Sequence, residues 1–177
     1  LAGLLWAGSA LADSQLEIHN PYVVQLIDGE SINPKLLEKT SSFPISAGKH
    51  QLVVAFEGNY SNRNDIKLVT AEPLVINFTA ADNQTLVLDF KKPRNEDEAK
   101  AFVKEQKVVL KDKVSGQALA SEQFVMPKVG GFQLTRDYQQ ELLKMGKAFN
   151  QPATVAVSTA AVMAAASAPV EVAPSKA

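Results

Sequence analysis

A mainly β domain is the fold class this sequence predicts: an antiparallel sheet or small β-sandwich with one or two helices packed on it. Three observations carry the prediction. Short apolar runs alternate with period two, most clearly where Leu52, Val54 and Phe56 interleave with Val53, Ala55 and Glu57, the mark of a strand with one face on a core. The runs are cut by turn residues, Asp28-Gly29, Gly48, Pro73 and Ala81-Asp82-Asn83, which supply positive φ or remove a donor. There is no cysteine among the 177 residues, so an apolar core has to supply the stability.

Taken in order, Leu16 to His19 reads as a strand ended by Asn20-Pro21, and Tyr22 to Ile27 as a second, stopped at the Asp28-Gly29 reversal. Asp and Gly tolerate the left-handed positions of a primed turn. Pro34 is placed to open a helical turn over Lys35, Leu36, Leu37 and Glu38, where its missing N–H does no harm. Phe43 to Ser46 is a brief extended piece before Gly48 and the His50–Glu57 strand. The polar stretch from Gly58 to Asp65 reads as the longest and most mobile loop, followed by strands at Ile66–Thr70, Leu74–Thr79 and Thr85–Phe90. Pro73 marks a strand start or a sheet edge, since it cannot donate to a ladder.

The period then changes. Asn95 and Glu98 have capping-box spacing, and Ala99, Phe102 and Val103 form an i, i+3, i+4 face, with Lys100, Lys104 and Lys107 late in the segment as the helix dipole prefers. Val108 to Leu110 and Gln123 to Met126 are short strands. A last helix is expected from Asp137 to Phe149, its stripe of Tyr138, Leu142, Met145 and Phe149 turned to the core.

The two ends differ from the middle. Residues 1–12, L-A-G-L-L-W-A-G-S-A-L-A, read as the back half of a secretory signal peptide with an A-x-A site before Asp13, and so as an incomplete precursor. Residues 13–150 are expected to form a single β-rich domain, and 151–177 an Ala/Pro-rich disordered tail. The leader implies export to the periplasm. A net charge of −1 without a basic cluster argues against nucleic acid as a partner, and no segment reads as a membrane span.

Candidate chemistry is sparse. The two histidines, His19 and His50, have no second ligand at metal spacing and read as strand-edge or packing residues. Gly48-Lys49 lacks the upstream glycine and the following Ser or Thr of a phosphate loop, and no G-x-S-x-G elbow is present. The acidic run Glu96-Asp97-Glu98 is explained by a helix first turn. No catalytic, cofactor-binding or metal-ligating residue is nominated, and no enzyme activity is expected.

Several blocks in fixed order carry a family resemblance: L-I-D-G at Leu26–Gly29, Leu36-Leu37, G-K-H-Q-L-V at Gly48–Val53, P-L-V-I-N-F at Pro73–Phe78, K-P-R-N-E-D-E-A-K-A-F at Lys92–Phe102, and V-V-L-K-D at Val108–Asp112. With them the chain resembles the bacterial periplasmic curli synthesis inhibitors, a family otherwise described only as a domain of unknown function. That resemblance implies an exported protein without catalysis that restrains extracellular amyloid (curli) fibre assembly by engaging the subunit. An exposed sheet edge is a physical route to such capture. The expected partner-binding surface is the Gly58–Asp65 loop with Asn59, Tyr60, Arg63 and Asp65, together with the strand opened by Pro73 and Leu74. The alternative is a structural envelope component whose tail acts as a spacer to an unknown partner.

Overall fold

The computed structural model describes residues 13–33, 40–130 and 136–149. The expected leader, the helical turn at Pro34 and the Ala/Pro tail lie outside these. Among the described residues the chain forms a mainly β fold of two sheets and two short helices.

The organising strand is β5 (Gly48–Asn59), twelve residues long. On one side it pairs antiparallel with β2 (Tyr22–Ile27), and β3 (Glu30–Ser31) extends that side. On the other it pairs first with β6 (Leu68–Thr70) and then with β7 (Leu74–Ala80), whose free side carries β10 (Ser121–Val125). The second sheet runs β4 (Thr40–Ile45), β1 (Ser14–His19), β8 (Thr85–Asp89), β9 (Val109–Asp112). One pair departs from the antiparallel expectation: β1 and β8 are parallel, with Leu16 opposite Leu86.

Between the sheets lies the main core of Leu16, Ile18, Val24, Leu52, Val54, Phe56, Ile76, Leu86 and Leu110, among others. Its mouth is closed by α1 (Glu96–Phe102), capped by Asn95, whose side chain accepts from the Glu98 N–H at 2.9 Å. There Tyr22 meets Phe56 and Phe90 edge-on, with ring centroids 5.5 and 5.1 Å apart, a geometry the ring quadrupoles favour. The buried Gln106 accepts from the Tyr22 hydroxyl at 3.1 Å and donates to the Glu72 carbonyl at 2.8 Å.

A second, smaller core occupies the outer face of the β5 sheet: Leu26, Val53, Val75, Met126 and Leu142 of α2 (Tyr138–Lys144). This accounts for a difference from expectation. His50 through Phe56 is buried throughout, because α2 covers the face that alternation assigned to solvent. The pairing shifts between Val24 and Leu26; the extra residue, Gln25, is a β-bulge, and it moves Leu26 from the inner face to the α2 face. The second helix ends sooner than its stripe suggests. Gly146 takes φ 69° and Lys147 N–H bonds back to the Leu142 carbonyl at 2.9 Å, a left-handed stop that leaves Met145 exposed.

Candidate binding cleft

Where the two sheets diverge, β2, β4 and the far end of β5 leave an open cleft of about 680 Å³. Its walls combine Val24, Ile32, Phe43, Tyr60 and Leu68 with polar groups of Asn20, Asn33, Ser41, Asn59 and Thr70, and one charge of each sign, Glu57 and Lys92. Gly58 lets the wall form. An added Cβ there would lie 2.6 Å from Tyr60 Cε2 and 2.9 Å from Phe56 Cε1. The Tyr60 hydroxyl points at the Pro93 carbonyl, 3.5 Å away, and burial, then the Glu98 carboxylate, push its phenol above the ordinary value.

The segment expected to be a long mobile loop is shorter and more ordered than its composition suggests. β5 continues through Asn59, and the turn beyond is held by side chains: Asn59 Oδ1 accepts from Ser61 N–H at 3.0 Å, Asn62 Oδ1 from Asn64 N–H at 2.9 Å, and Ser61 Oγ from Lys67 N–H at 2.8 Å. Lys67 then ties the hairpin to α1 by pairing with Asp65 at 3.4 Å and Glu96 at 3.3 Å. Asn and Ser close such turns on their own backbone. Two large apolar side chains nonetheless face solvent on this arm, Ile66 at 82% and Leu68 at 65% exposure.

The six residues singled out from sequence therefore separate. Asn59 and Tyr60 line the cleft, and Arg63 and Asp65 sit exposed in the hairpin turn. Pro73 and Leu74 are buried, and the edge reading of their strand is corrected. β7 has a neighbour on each side, β5 and β10, and the Pro73 carbonyl accepts from Met126 N–H at 2.8 Å. Pro73 marks a strand start, which its missing donor also allows.

Three features went unread. Asp28 and His50 join the Asp28-Gly29 turn to β5 through a 2.6 Å contact. Arg136 grips Glu141, Glu72 and the Pro127 carbonyl. The β4 strand borders the cleft through Ser41, Ser42 and Phe43. No signal local in sequence marks the Asp28–His50 contact or the reach of Arg136 to Glu72, whose partners lie 22 and 64 residues apart. Among the described residues there is no group of three or more His, Asp or Glu positioned for a metal, and no described helix is long and apolar enough to cross a membrane.

Residues 15–177 match the model of a family described as an uncharacterized protein conserved in bacteria, DUF2057. The chain belongs to that family. Among similar proteins, a UPF0319 protein of Vibrio parahaemolyticus is 32% identical over 141 residues, 80% of this chain and 71% of the relative. Another from Vibrio vulnificus is 29% identical over 152 residues, 85% of this chain but only 60% of its own length. A third, from Histophilus somni, is 31% identical over 105 residues, 59% of this chain and 48% of the relative. No solved structure matches the chain.

Proposed function

We propose that this DUF2057 chain is an exported, non-enzymatic binding protein that engages an unfolded or strand-forming protein client in the periplasm, with a curli subunit as the client the family resemblance implies. The observation that carries the reading is the hairpin arm beside the cleft. Ile66 and Leu68 stand out from a turn otherwise tied down by hydrogen bonds, and Leu68 continues into a wall shared with Tyr60 and Phe43. Large apolar groups held exposed beside a concave surface favour an apolar partner. Glu57 and Lys92 offset each other in charge, which favours a partner recognised by shape and backbone over a strongly charged ligand.

The test adds the purified full chain to a polymerising curli major subunit and follows dye fluorescence. A lengthened lag at equimolar ratio is expected, reduced when Ile66 and Leu68 are both changed to Ser. An unchanged lag with the unaltered chain overturns the reading.

A further inference from the structure

The hydrogen-bonding direction of β4 follows from its neighbours. Gln15 N–H donates to the Gln84 carbonyl at 2.8 Å, so Gln15 turns its backbone toward β8 and away from β4. Backbone direction alternates along a strand; Ser14, Leu16 and Ile18 therefore face β4, where they pair with Ile45, Phe43 and Ser41. The intervening residues Thr40, Ser42 and Pro44 turn their backbone outward. Pro44 fits this assignment independently, because proline persists in a sheet only where its missing donor faces away from the ladder. The outer row thus presents N–H and C=O of Thr40, N–H and C=O of Ser42, and C=O of Pro44. Among the described residues, no backbone group pairs with it.

We infer that the outer edge of β4 captures an extended segment of the client by strand addition. The inference rests on the client-binding reading above and names its mode. Only an extended backbone offers complementary donors and acceptors at the spacing of alternate strand residues, and unpaired groups on a rigid edge gain most from such a partner. The occupant's side-chain pattern follows from the wall it joins. Phe43 turns inward and packs on the main core, while Thr40, Ser42 and Pro44 are exposed on the opposite face. An added strand with apolar residues at alternate positions continues the core past Phe43 toward Val24 and Ile32 of the cleft, and leaves polar residues outside. Pro44 withholds a donor at one end, so the ladder is strongest at Thr40 and Ser42.

The Ser42 position permits a selective test. Its backbone faces out, so Ser42→Pro deletes an outward N–H while leaving the bonds to β1 in place. Ser42→Ala removes only the hydroxyl, which donates to Gln15 Oε1 at 3.2 Å. The probes are a soluble synthetic peptide of alternating Thr and Val and, separately, the curli major subunit, each with the full chain. The expected result is slowed exchange of the Thr40 and Ser42 amides on adding the peptide, binding by Ser42→Ala like the unaltered chain, and about tenfold weaker binding by Ser42→Pro, the scale of one lost hydrogen bond with added crowding. Amide exchange on the unaltered chain needs no variant and decides the matter if Ser42→Pro fails to fold.

No peptide binding, binding without protection of those two amides, or full binding by a folded Ser42→Pro chain each overturns strand addition. Protection by the peptide with no effect on the subunit upholds the edge and removes curli as the client. A lengthened subunit lag with the two amides unprotected by either probe does the reverse.

Discussion

Asp28 and His50, 22 residues apart in sequence, meet at 2.6 Å between Oδ2 and Nδ1, with the ring 7% exposed. The other ring nitrogen faces the Ser46 carbonyl at 2.6 Å. The second carboxylate oxygen of Asp28 accepts from Gln51 N–H at 2.8 Å, and Asp28 N–H donates to the Gln51 carbonyl at 2.8 Å. One side chain thus fastens the β2–β3 turn onto the start of β5 and fixes the ring that braces the β4–β5 corner.

Replacing Asp28 by Ala strands the buried Gln51 N–H, takes the carboxylate away from the His50 ring, and places Ala at φ 52°. An unsatisfied buried donor costs about 1–3 kcal/mol, and the left-handed backbone adds about 1 kcal/mol for a residue without a local hydrogen bond. The expected loss is about 2–4 kcal/mol, read as a lower urea midpoint. Asp28→Asn tolerates the positive φ and keeps one acceptor, so it is expected to lose roughly half as much. Equal midpoints for Asp28→Ala and the unaltered chain remove this pair from the account of stability.

Arg136 locks the second helix. Its Nε and Nη2 reach Glu141 Oε1 and Oε2 at 2.9 and 2.7 Å, Nη1 reaches Glu72 Oε2 at 2.6 Å, and Nη2 also donates to the Pro127 carbonyl at 3.1 Å. These contacts hold the guanidinium charge, Glu141 first, well above its ordinary range. A lysine cannot span the fork. Arg136→Lys is expected to cost about 1–3 kcal/mol, mostly as local loosening: amide exchange quickens across α2 and at Ala71 and Glu72 before the rest of the sheet. Leu142→Ala, which empties the smaller core, is expected to cost about 2–5 kcal/mol. Unchanged exchange in α2 for Arg136→Lys shows that packing alone holds the helix.

Much of the β scaffold was legible because its signals are local. The Asp28-Gly29 turn takes φ 52° and 79°, as the residue types require, and Asn95 caps α1 as its spacing implies. What stayed hidden needs a partner far away in the chain. Gln25 reads as a continuation of an apolar run, yet its bulge decides which core Leu26 enters. His50 reads as an ordinary packing residue until Asp28 is seen beside it. Asn59 and Tyr60, named as parts of a polar loop, line a cleft that nothing in the sequence announced. Its β4 border was missed because T-S-S-F-P-I has weak alternation and no marker of being an edge beyond Pro44. Pro73 misled for the complementary reason: a missing donor fits a strand start as well as an edge.

Alkaline pH separates the three tyrosines from their free behaviour. Burial pushes Tyr22 far above the ordinary 10.0; Tyr60 is raised by burial and then Glu98, and Tyr138 chiefly by burial. A raised folded-state value means that the folded chain holds protons the unfolded chain has released. This stability is therefore complete below pH 10 and declines as pH climbs above it. Ultraviolet titration of the folded chain is expected to show tyrosinate appearing later than in the denatured chain, Tyr22 last, with denaturation midpoints falling over the same range. Tyr22→Phe flattens the steepest part of the decline, at a cost of about 1 kcal/mol at neutral pH for the lost bond to Gln106. Tyrosine ionisation at the ordinary value with the sheet intact refutes the assignment.

Gly58 sets the cleft wall, and its substitution separates shape from stability. In Gly58→Ala the new Cβ starts 2.6 Å from Tyr60 and 2.9 Å from Phe56, so one ring has to move. Phe56 is fully buried and clamped by Tyr22 and Phe102, whereas Tyr60 is half-buried at the cleft margin with only a long hydroxyl contact to Pro93. The cheaper response is for Tyr60 to swing outward, for which overpacking of about 1–3 kcal/mol is the upper scale. The variant is expected to fold, with Tyr60 ring resonances shifted, the Phe56 and Tyr22 resonances nearly unchanged, and the phenol returned toward its ordinary value because it has left the wall. Client binding is expected to weaken with it, since Tyr60 and Leu68 no longer form a continuous apolar surface. If Phe56 resonances move instead and the chain loses cooperativity on melting, the strain enters the core, and the cleft wall is stiffer than its exposure implies.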